Sequence, residues 1–252
     1  MRLLIYMAWE DLRIRYSRSW LGALWAFLSP LLTVLILCYV FWAGYRNPPV
    51  GEIPFVLWFT AGYVPWLFIS DGIAGGTRCF TEYAVLICKQ RFPAQVLPKV
   101  RLLSSFIIHC FFLLILLIVR YALLPDTPVR FFHLLYFETA VFLYLLGAGY
   151  LLGTLQIFLP DLSDMVGILL QLLFWITPVL WQESGEMRER IGWMLAGNPV
   201  RYLVQGFRMS LLPGDGRLPV RSTLLFWSFT GMQLLAGSFL FSRFSPSFAD
   251  EM

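Results

Sequence analysis

Two histidines and two aspartates are the side chains with which this sequence could carry acid–base or metal chemistry. His109 and His133 have no carboxylate or thiol partners at the sequence spacing typical of metal ligands. His109 lies inside an apolar stretch, as either a hydrogen-bonded packing residue or a proton relay. Asp161 and Asp164 could pair as acid and base. No membrane-protease motif accompanies them, however, so capping of the next helix by Asp161 or Ser163 is the favoured interpretation.

Nucleotide-binding and zinc-hydrolase motifs are absent from the sequence. There is no GxxxxGK[ST] phosphate loop, and the lysines are Lys89 and Lys99 alone. The chain itself is therefore not expected to bind ATP in that manner, and it is not expected to need a cofactor. HExxH is also missing. No chemistry is assigned to the four cysteines, which are Cys38, Cys79, Cys88 and Cys110.

Six stretches without Asp, Glu, Lys or Arg must position these side chains, and each is at least 18 residues long. A helix needs about 20 apolar residues to cross about 30 Å of hydrocarbon. The composition agrees, because 59% apolar and 13% charged residues leave little polar surface for a soluble domain. We predict an all-α membrane protein, one domain over residues 1–252, with six transmembrane helices. They lie within Ser19–Tyr45, Ile53–Ser70, Leu102–Val119, Thr139–Pro160, Met165–Gln182 and Ser222–Ser242.

An even number of spans places both termini on the same side of the membrane. Basic residues are concentrated in two short segments on that side, 1–18 and 78–101, whereas those on the other side lie mainly in the long segment 183–221. Short segments and the first helix dominate orientation, so both termini are predicted to be cytoplasmic. The first apolar run begins too late and is too long for a secretory signal peptide. The net charge of +4 indicates contact with anionic membrane lipids rather than with nucleic acid.

The segment 1–18 has the pattern of an amphipathic helix. Apolar and aromatic residues recur at helical spacing, and charged residues fill the remaining positions. This pattern is typical of a helix lying in the cytoplasmic membrane interface, although a simple topogenic anchor would have it too. The recurring positions are Ile5, Trp9, Leu12, Tyr16 and Trp20.

The segment between the second and third spans predicts a short helix over Thr81–Gln90. Phe92-Pro93 should end it, because a residue before proline is disfavoured in helical geometry, and Pro98 should open the third span. A compact cytoplasmic helix of this kind suits docking of another protein. A solvated loop that merely obeys the positive-inside rule remains the alternative. The charged residues of this segment are Glu82, Lys89 and Arg91.

The segment between the fifth and sixth spans predicts two short helices, Glu186–Leu195 and Pro199–Leu212. Thr177-Pro178 should end the fifth span near its outer end, and Gly197-Asn198-Pro199 should separate the two helices. The pair is either a re-entrant hairpin in the outer leaflet or a folded loop on the membrane surface. Irregular backbone at membrane depth would have to face protein or water.

Aromatic residues make up 17% of the chain, and many cluster near the outer ends of spans one, two and five. An interfacial belt explains most of them. Rings can also stack on the C–H faces of sugars, so some could line a pathway for a glycan. The clustered residues are Tyr39, Phe41, Trp42, Tyr45, Phe55, Trp58, Phe59, Tyr63, Phe174, Trp175 and Trp181.

Taken in order, these local patterns resemble the permeases of ABC-2 type transporters, and in particular the branch that exports cell-surface polysaccharides and teichoic acids. The match covers nearly the whole length. No fragment is diagnostic by itself, but six occur in register. They are Arg15–Leu32 (RYSRSWLGALWAFLSPLL), Val64-Pro65-Trp66 with Phe68 and Ser70, Lys89–Pro98 (KQRFPAQVLP), Asp161–Pro178 (DLSDMVGILLQLLFWITP), Asn198-Pro199 with Arg208, and Phe244–Glu251 (FSPSFADE).

The resemblance implies a half-transporter. Two copies of the chain would form the pathway, and two copies of a separate cytoplasmic ATPase, which binds ATP and Mg²⁺, would drive it. The resemblance assigns an interface helix to residues 1–18, a coupling helix to residues 81–91 and re-entrant gate helices to residues 186–212. The polar segment expected before the coupling helix is replaced by Gly75–Phe80, which leaves the exact start of that helix open.

Individual residues take roles from the same resemblance. The ATPase-coupling candidates are Glu82, Lys89, Arg91, Phe92 and Pro93. The gate candidates are Trp193, Asn198, Pro199 and Arg208. Spans one, two and five line the pathway in this family, which makes pathway candidates of Trp25, Tyr39, Trp42, Phe59, Tyr63, Phe174 and Trp175.

The expected function is export of a lipid-linked polysaccharide, of O-antigen or capsule type, across the bacterial cytoplasmic membrane. The chain would be a transport subunit and not an enzyme. Two alternatives remain at this point. An ABC-2 exporter of a drug or small lipid shares the fold, and a membrane-embedded enzyme would need a buried acid–base or metal cluster near His109, Asp161 or Asp164.

Overall fold

The structure is a computed structural model that describes residues 2–17, 19–41, 50, 52–90, 92–183, 185–214 and 218–251. Over these ranges the chain is helical and contains no strand; one isolated bridge joins Val50 and Ile53. The helices are α1 (Arg2–Arg15), α2 (Trp25–Val40), α3 (Phe55–Arg78), α4 (Ala84–Gln90), α5 (Leu97–Leu123), α6 (Phe131–Phe158), α7 (Leu162–Ile176), α8 (Gly185–Ala196), α9 (Pro199–Leu211), α10 (Val220–Phe244) and α11 (Phe248–Glu251). The prediction of an all-α protein is confirmed.

Five helical segments in the described ranges are long and apolar enough to cross a membrane, so the chain is a multi-pass membrane protein. They are Gly22–Val40, Phe55–Arg78, Ala94–Leu123, Phe131–Phe158 and Val220–Ser247. The segment predicted as the fifth of six spans is the 15-residue helix α7. It ends at Ile176 because Thr177 turns to an extended conformation, with ψ of 134°, ahead of Pro178. The predicted break at Thr177-Pro178 is therefore confirmed.

Several helices extend beyond the charge-free stretches that predicted them. α3 continues past Ser70 through Asp71 to Arg78, α5 includes Arg101 and Arg120, and α6 begins at Phe131 and includes Glu138. The prediction ended each span at the first charged residue. The structure differs because these charged side chains have partners that lie inside the fold, so a helix can continue through them.

α3 is the central helix and packs against α5, α6, α7 and α9. Most of its length is buried, and its surface carries small residues where other helices approach. A Cβ atom on Gly76 would lie 2.9 Å from the Cα of Gly149 in α6. α6 and α10 cross in the same way, since a Cβ atom on Gly237 would lie 2.9 Å from the backbone N of Leu151. Small residues at such crossings let helix backbones approach closely, as is common in membranes.

The short helices predicted outside the spans are present, with shifted ends. α1 covers Arg2–Arg15 within the predicted segment 1–18, and α8 and α9 match the predicted pair to within one residue at each end. α4 begins at Ala84 and not at Thr81, because residues 81–83 form turns. Pro98 lies in the first turn of α5, as predicted.

Candidate functional site

A group of charged side chains joins α1, α3 and α5 to the turn before α4. We call Asp11, Arg15, Asp71, Glu82 and Arg101 the ion cluster. Arg101 is 3% exposed and lies between two carboxylates, with Nη1 3.4 Å from Asp11 Oδ1 and 3.2 Å from Glu82 Oε2. Arg15 lies 2.6 Å from Asp11 and 3.5 Å from Asp71. Four segments of the chain are thus held together by opposite charges.

Hydroxyl groups complete the ion cluster. Tyr83 donates a hydrogen bond of 2.7 Å to Asp11, and Ser104 donates one of 2.5 Å to the other oxygen of the same carboxylate. Ser105 donates to Asp71 over 2.5 Å. The carboxylate of Asp11 is therefore almost entirely enclosed by donors, which offsets the cost of burying its charge.

The electrostatics of Asp11 follow from this arrangement. Burial raises the pKa of its carboxyl, but the guanidinium groups of Arg101 and Arg15 and the hydrogen bond from Ser104 together lower it by more, so that the net pKa lies below its ordinary value. Burial raises the pKa of Tyr83, and its hydrogen bond to Asp11 raises it further. Asp11 is thus held as an anion and Tyr83 as a neutral donor, which favours the contact between α1 and the turn before α4.

A glycine of α3 makes room for the central arginine. A Cβ atom on Gly75 would collide with the guanidinium group of Arg101. Sequence reasoning identified Glu82 here but missed Asp11, Arg15, Asp71 and Arg101. The available signal was the position of Asp71 and Arg101 directly beside apolar stretches, where ionisable residues are costly and tend to be functional.

α4 rests on a second, apolar cluster, which joins the C-terminal helix α11 to residues of α5, α6 and the segment after α3. Phe248 of α11 is fully buried, and its ring lies 5.2 Å from that of Phe80. Tyr83, Ile87 and Phe92 pack against this cluster. The other side of α4 is open, because Val85 and Cys88 are exposed, as is Thr81 in the turn before the helix. This open face is suited to contact with another protein.

The other coupling candidates lie around this helix. Glu82 lies 3.3 Å from Arg78 as well as 3.2 Å from Arg101, so its carboxylate holds the turn in place. Pro93 is extended and precedes a 3₁₀ turn at Ala94–Val96. The structure describes the backbone of Lys89 but not its side chain, and Arg91 lies outside the described residues.

We call α8 and α9, with the turn at Gly197-Asn198 between them, the hairpin. It contains the gate candidates. Asn198 is the N-cap of α9, and its side chain accepts hydrogen bonds from the backbone of Val200 at 2.9 Å and Arg201 at 3.2 Å. Its amide also donates to Thr177 over 2.8 Å, which ties the start of α9 to the broken end of α7. Pro199 occupies the first turn. Trp193 of α8 is 80% exposed.

Arg208 lies on α9 and is buried. It joins α9 to α3 and to the segment after α7. It donates to the backbone carbonyls of Pro178 and Val179, each over 2.6 Å, and to that of Trp58 over 3.2 Å. Its guanidinium also lies 3.6 Å from the centre of the Trp58 ring. A Cβ atom on Gly62 would collide with this group. Arg208 therefore satisfies the carbonyls freed where the backbone leaves α7, which apolar surroundings require.

Two further arginines hold the C-terminal end of α9. Arg120, which is fully buried, donates to the carbonyl of Leu211 over 3.1 Å, and Arg130 donates to that of Met209 over 3.0 Å. Positive charge at a helix C-terminus is favourable because the last carbonyls carry partial negative charge. Sequence reasoning missed both residues.

The pathway candidates fall into two groups within a single chain. Phe59 and Tyr63 lie in the packed interior, and Tyr63 lies 6.1 Å from Phe174 between ring centres. Trp25, Tyr39 and Trp175 are exposed on α2 and α7. Trp42 lies outside the described residues. Lining of a pathway by these rings stays a prediction.

His109 and Asp161, two of the candidates for acid–base chemistry, have surroundings that differ from those expected from the sequence. His109 Nε2 lies 3.0 Å from Glu138 Oε1, and its ring stacks on Phe68 at 4.6 Å. It thus has a carboxylate partner that its sequence neighbourhood did not reveal. Asp161 occupies the N-cap position of α7, but its side chain makes no capping hydrogen bond. In the part of the chain that the structure describes, no three His, Cys, Asp or Glu residues could hold a metal ion.

Comparison with known proteins identifies the family of the chain. Residues 2–212 match the protein family described as ABC-2 type transporter. The chain is 31% identical to an O-antigen export system permease protein RfbA of Myxococcus xanthus, over 99% of this chain and 95% of that protein. It is 26% identical to an RfbA permease of Klebsiella pneumoniae over 98% of this chain and 94% of that protein, and 24% identical to the polysialic acid transport protein KpsM of Escherichia coli over 81% and 79%. The chain belongs to the ABC-2 type transporter family.

Proposed function

We propose that this chain is the permease subunit of an ATP-driven exporter that moves a lipid-linked polysaccharide, of O-antigen or capsule type, across the cytoplasmic membrane. The observation that carries the proposal is similarity along 99% of the chain to an O-antigen export permease. The polysialic acid transport protein among the relatives also has a polysaccharide in its name. In this proposal a separate subunit supplies the ATPase, in keeping with the lack of a phosphate loop in this sequence.

Six spans with both termini in the cytoplasm form part of the proposal, with α7 as the fifth. A 15-residue helix rises about 22 Å, which is short of a full hydrocarbon core of about 30 Å. The irregular backbone at Thr177–Val179 would then lie at membrane depth. Its carbonyls are satisfied by Arg208, and Thr177 receives a hydrogen bond from Asn198. This arrangement supports a re-entrant hairpin formed by α8 and α9, since irregular backbone is tolerated where protein covers it.

A homodimer supplies the pathway in this proposal. α2 and α7 carry exposed rings and aliphatic side chains, including Trp25, Tyr39 and Trp175. Lipid can cover such residues, but a polysaccharide needs a path enclosed by protein. Two copies that face each other through α2 and α7 would provide one lined by the exposed aromatic rings of these two helices.

Coupling to the ATPase is assigned to α4 and its supports. ATP binding and hydrolysis would move the ATPase subunits, and the exposed surface formed by Thr81, Val85 and Cys88 would receive that motion. The ion cluster would pass the motion to α1, α3 and α5. α3 then reaches the hairpin at its other end, where Arg208 binds Trp58. One helix therefore connects the coupling region to the proposed gate.

We expect Val85→Asp to reduce export strongly without lowering the amount of protein in the membrane. Val85 is 67% exposed, so the change should not disturb folding, but a charge would be buried without a partner when the ATPase docks. Surface polysaccharide and co-purification of the ATPase are the measurements. Val85→Ile is the matched variant and should keep both. Normal export by Val85→Asp would contradict docking at this face.

Deletion of the gene tests the proposed function in the cell. Surface polysaccharide should disappear, lipid-linked glycan should accumulate inside, and a plasmid copy of the gene should restore export. Normal surface polysaccharide in the deletion strain would contradict the proposal and would favour an ABC-2 exporter of a small substrate.

A further inference from the structure

A cavity of about 660 Å³ lies beneath the hairpin, between the start of α3, the segment after α7, α8, α9 and the start of α10. Its size falls within the range of small-ligand sites, about 300–1,000 Å³. The lining combines charged, amide and aromatic side chains. They include Trp58, Trp181, Glu183, Arg201, Gln205 and Arg221.

The polar part of the wall is preformed. Arg201 binds Glu183 through two parallel contacts of 2.5 and 2.6 Å, and Gln205 donates to the same carboxylate over 2.5 Å. Planar pairs of this kind are fixed in orientation, and the remaining N–H groups of Arg201 and Gln205 can donate hydrogen bonds to hydroxyl groups. Arg221 is exposed at the rim and forms no ion pair with the residues that the structure describes.

The aromatic part of the wall offers one ring. The indole N–H of Trp181 donates to the carbonyl of Trp175 over 3.0 Å, which fixes the orientation of the ring. No aromatic ring within the described ranges stacks on Trp181, whereas Trp58 is covered by the guanidinium of Arg208. Trp181 can therefore stack on a ligand.

A fixed aromatic ring beside fixed donors and acceptors suits a pyranose, which has an apolar C–H face and an edge of hydroxyl groups. An apolar ligand fits badly, because it would separate the charged groups of Arg201 and Arg221 from water without giving them new partners. We propose that this cavity binds a short saccharide segment of the exported glycan, with Trp181 against a sugar ring and with Arg201 and Gln205, both held in place by Glu183, at its hydroxyl groups. The inference rests on the proposed function and assigns it a glycan-binding site under the hairpin.

The test is binding of delipidated polysaccharide to the purified transporter with its ATPase, reconstituted in lipid nanodiscs and measured by calorimetry. The probe is the surface polysaccharide of the strain that carries the gene, released from its lipid by mild acid. Trp181→Leu should weaken binding by about tenfold or more, since a buried aromatic contact commonly contributes that much. Trp181→Phe keeps a ring but loses the bond to Trp175, and should retain most of the affinity.

Arg190→Ala is the control, because Arg190 is exposed on α8 and does not line the cavity. It should bind as the wild-type protein does. Equal affinity of wild type and Trp181→Leu, or no binding by a wild-type transporter that exports glycan in cells, would overturn the site while leaving the proposed function intact. Failure of the proposed function would instead appear as normal surface polysaccharide in the deletion strain.

Discussion

Arg101→Ala should abolish export and should lower the amount of folded transporter. The substitution leaves Asp11 buried with one of its two cationic partners removed, and it also releases Glu82. Removing one partner of a buried ion pair typically costs about 3–5 kcal/mol of stability. Surface polysaccharide in cells and thermal unfolding of the purified protein are the measurements.

Arg78→Ala provides the matched control for Arg101→Ala. Arg78 lies 3.3 Å from the same Glu82, but its side chain is 48% exposed. Exposed pairs contribute about 0–1 kcal/mol, so export and thermal unfolding should remain close to those of the wild type. Equal loss in both variants would show that the burial of Arg101 is not what matters, and would contradict its central role in the ion cluster.

Arg208→Ala should be the second most damaging change, and its effect should appear at the hairpin. The carbonyls of Trp58, Pro178 and Val179 would lose their donor together, and each buried polar group without a partner costs about 1–3 kcal/mol. We expect the amount of transporter in the membrane to fall, and export per molecule of transporter to fall as well. Limited proteolysis of the hairpin, together with export normalised to the amount of protein, measures the effect.

Gly62→Ala tests the same contact from the opposite side. Its Cβ atom would occupy the space of the Arg208 guanidinium, so the variant should reproduce the defect while Arg208 itself is retained. Arg190→Ala, which removes an exposed arginine from the same hairpin, should have no effect. Normal export by Arg208→Ala would contradict the assignment of this residue to the fastening of the hairpin.

Features with local causes could be predicted from the sequence. The apolar stretches predicted most of the long helices, Thr177-Pro178 predicted the end of α7, and Asn198-Pro199 predicted the start of α9. In each case neighbouring residues determine the backbone, through proline sterics or through capping.

Features that depend on distant pairing could not be predicted. Asp11 and Arg101 are 90 positions apart, and Arg208 binds a carbonyl 150 positions away. Charge alone suggested that α3 should end at Ser70, whereas Asp71 is accommodated because Ser105 and Arg15 bind it. Arg208 was selected only through the resemblance to the family, and its partners became known from the structure.

The proposed export function is tested most directly by measuring ATP-dependent movement of lipid-linked polysaccharide in a purified system. Permease and ATPase are reconstituted into vesicles with the ATPase facing outward, and lipid-linked glycan is supplied in the outer leaflet. We expect ATP to make the glycan resistant to an added glycosidase, and Arg101→Ala to prevent this protection. The proposed function would be contradicted if the glycosidase digested the glycan equally with and without ATP, in vesicles whose ATPase is shown to hydrolyse ATP.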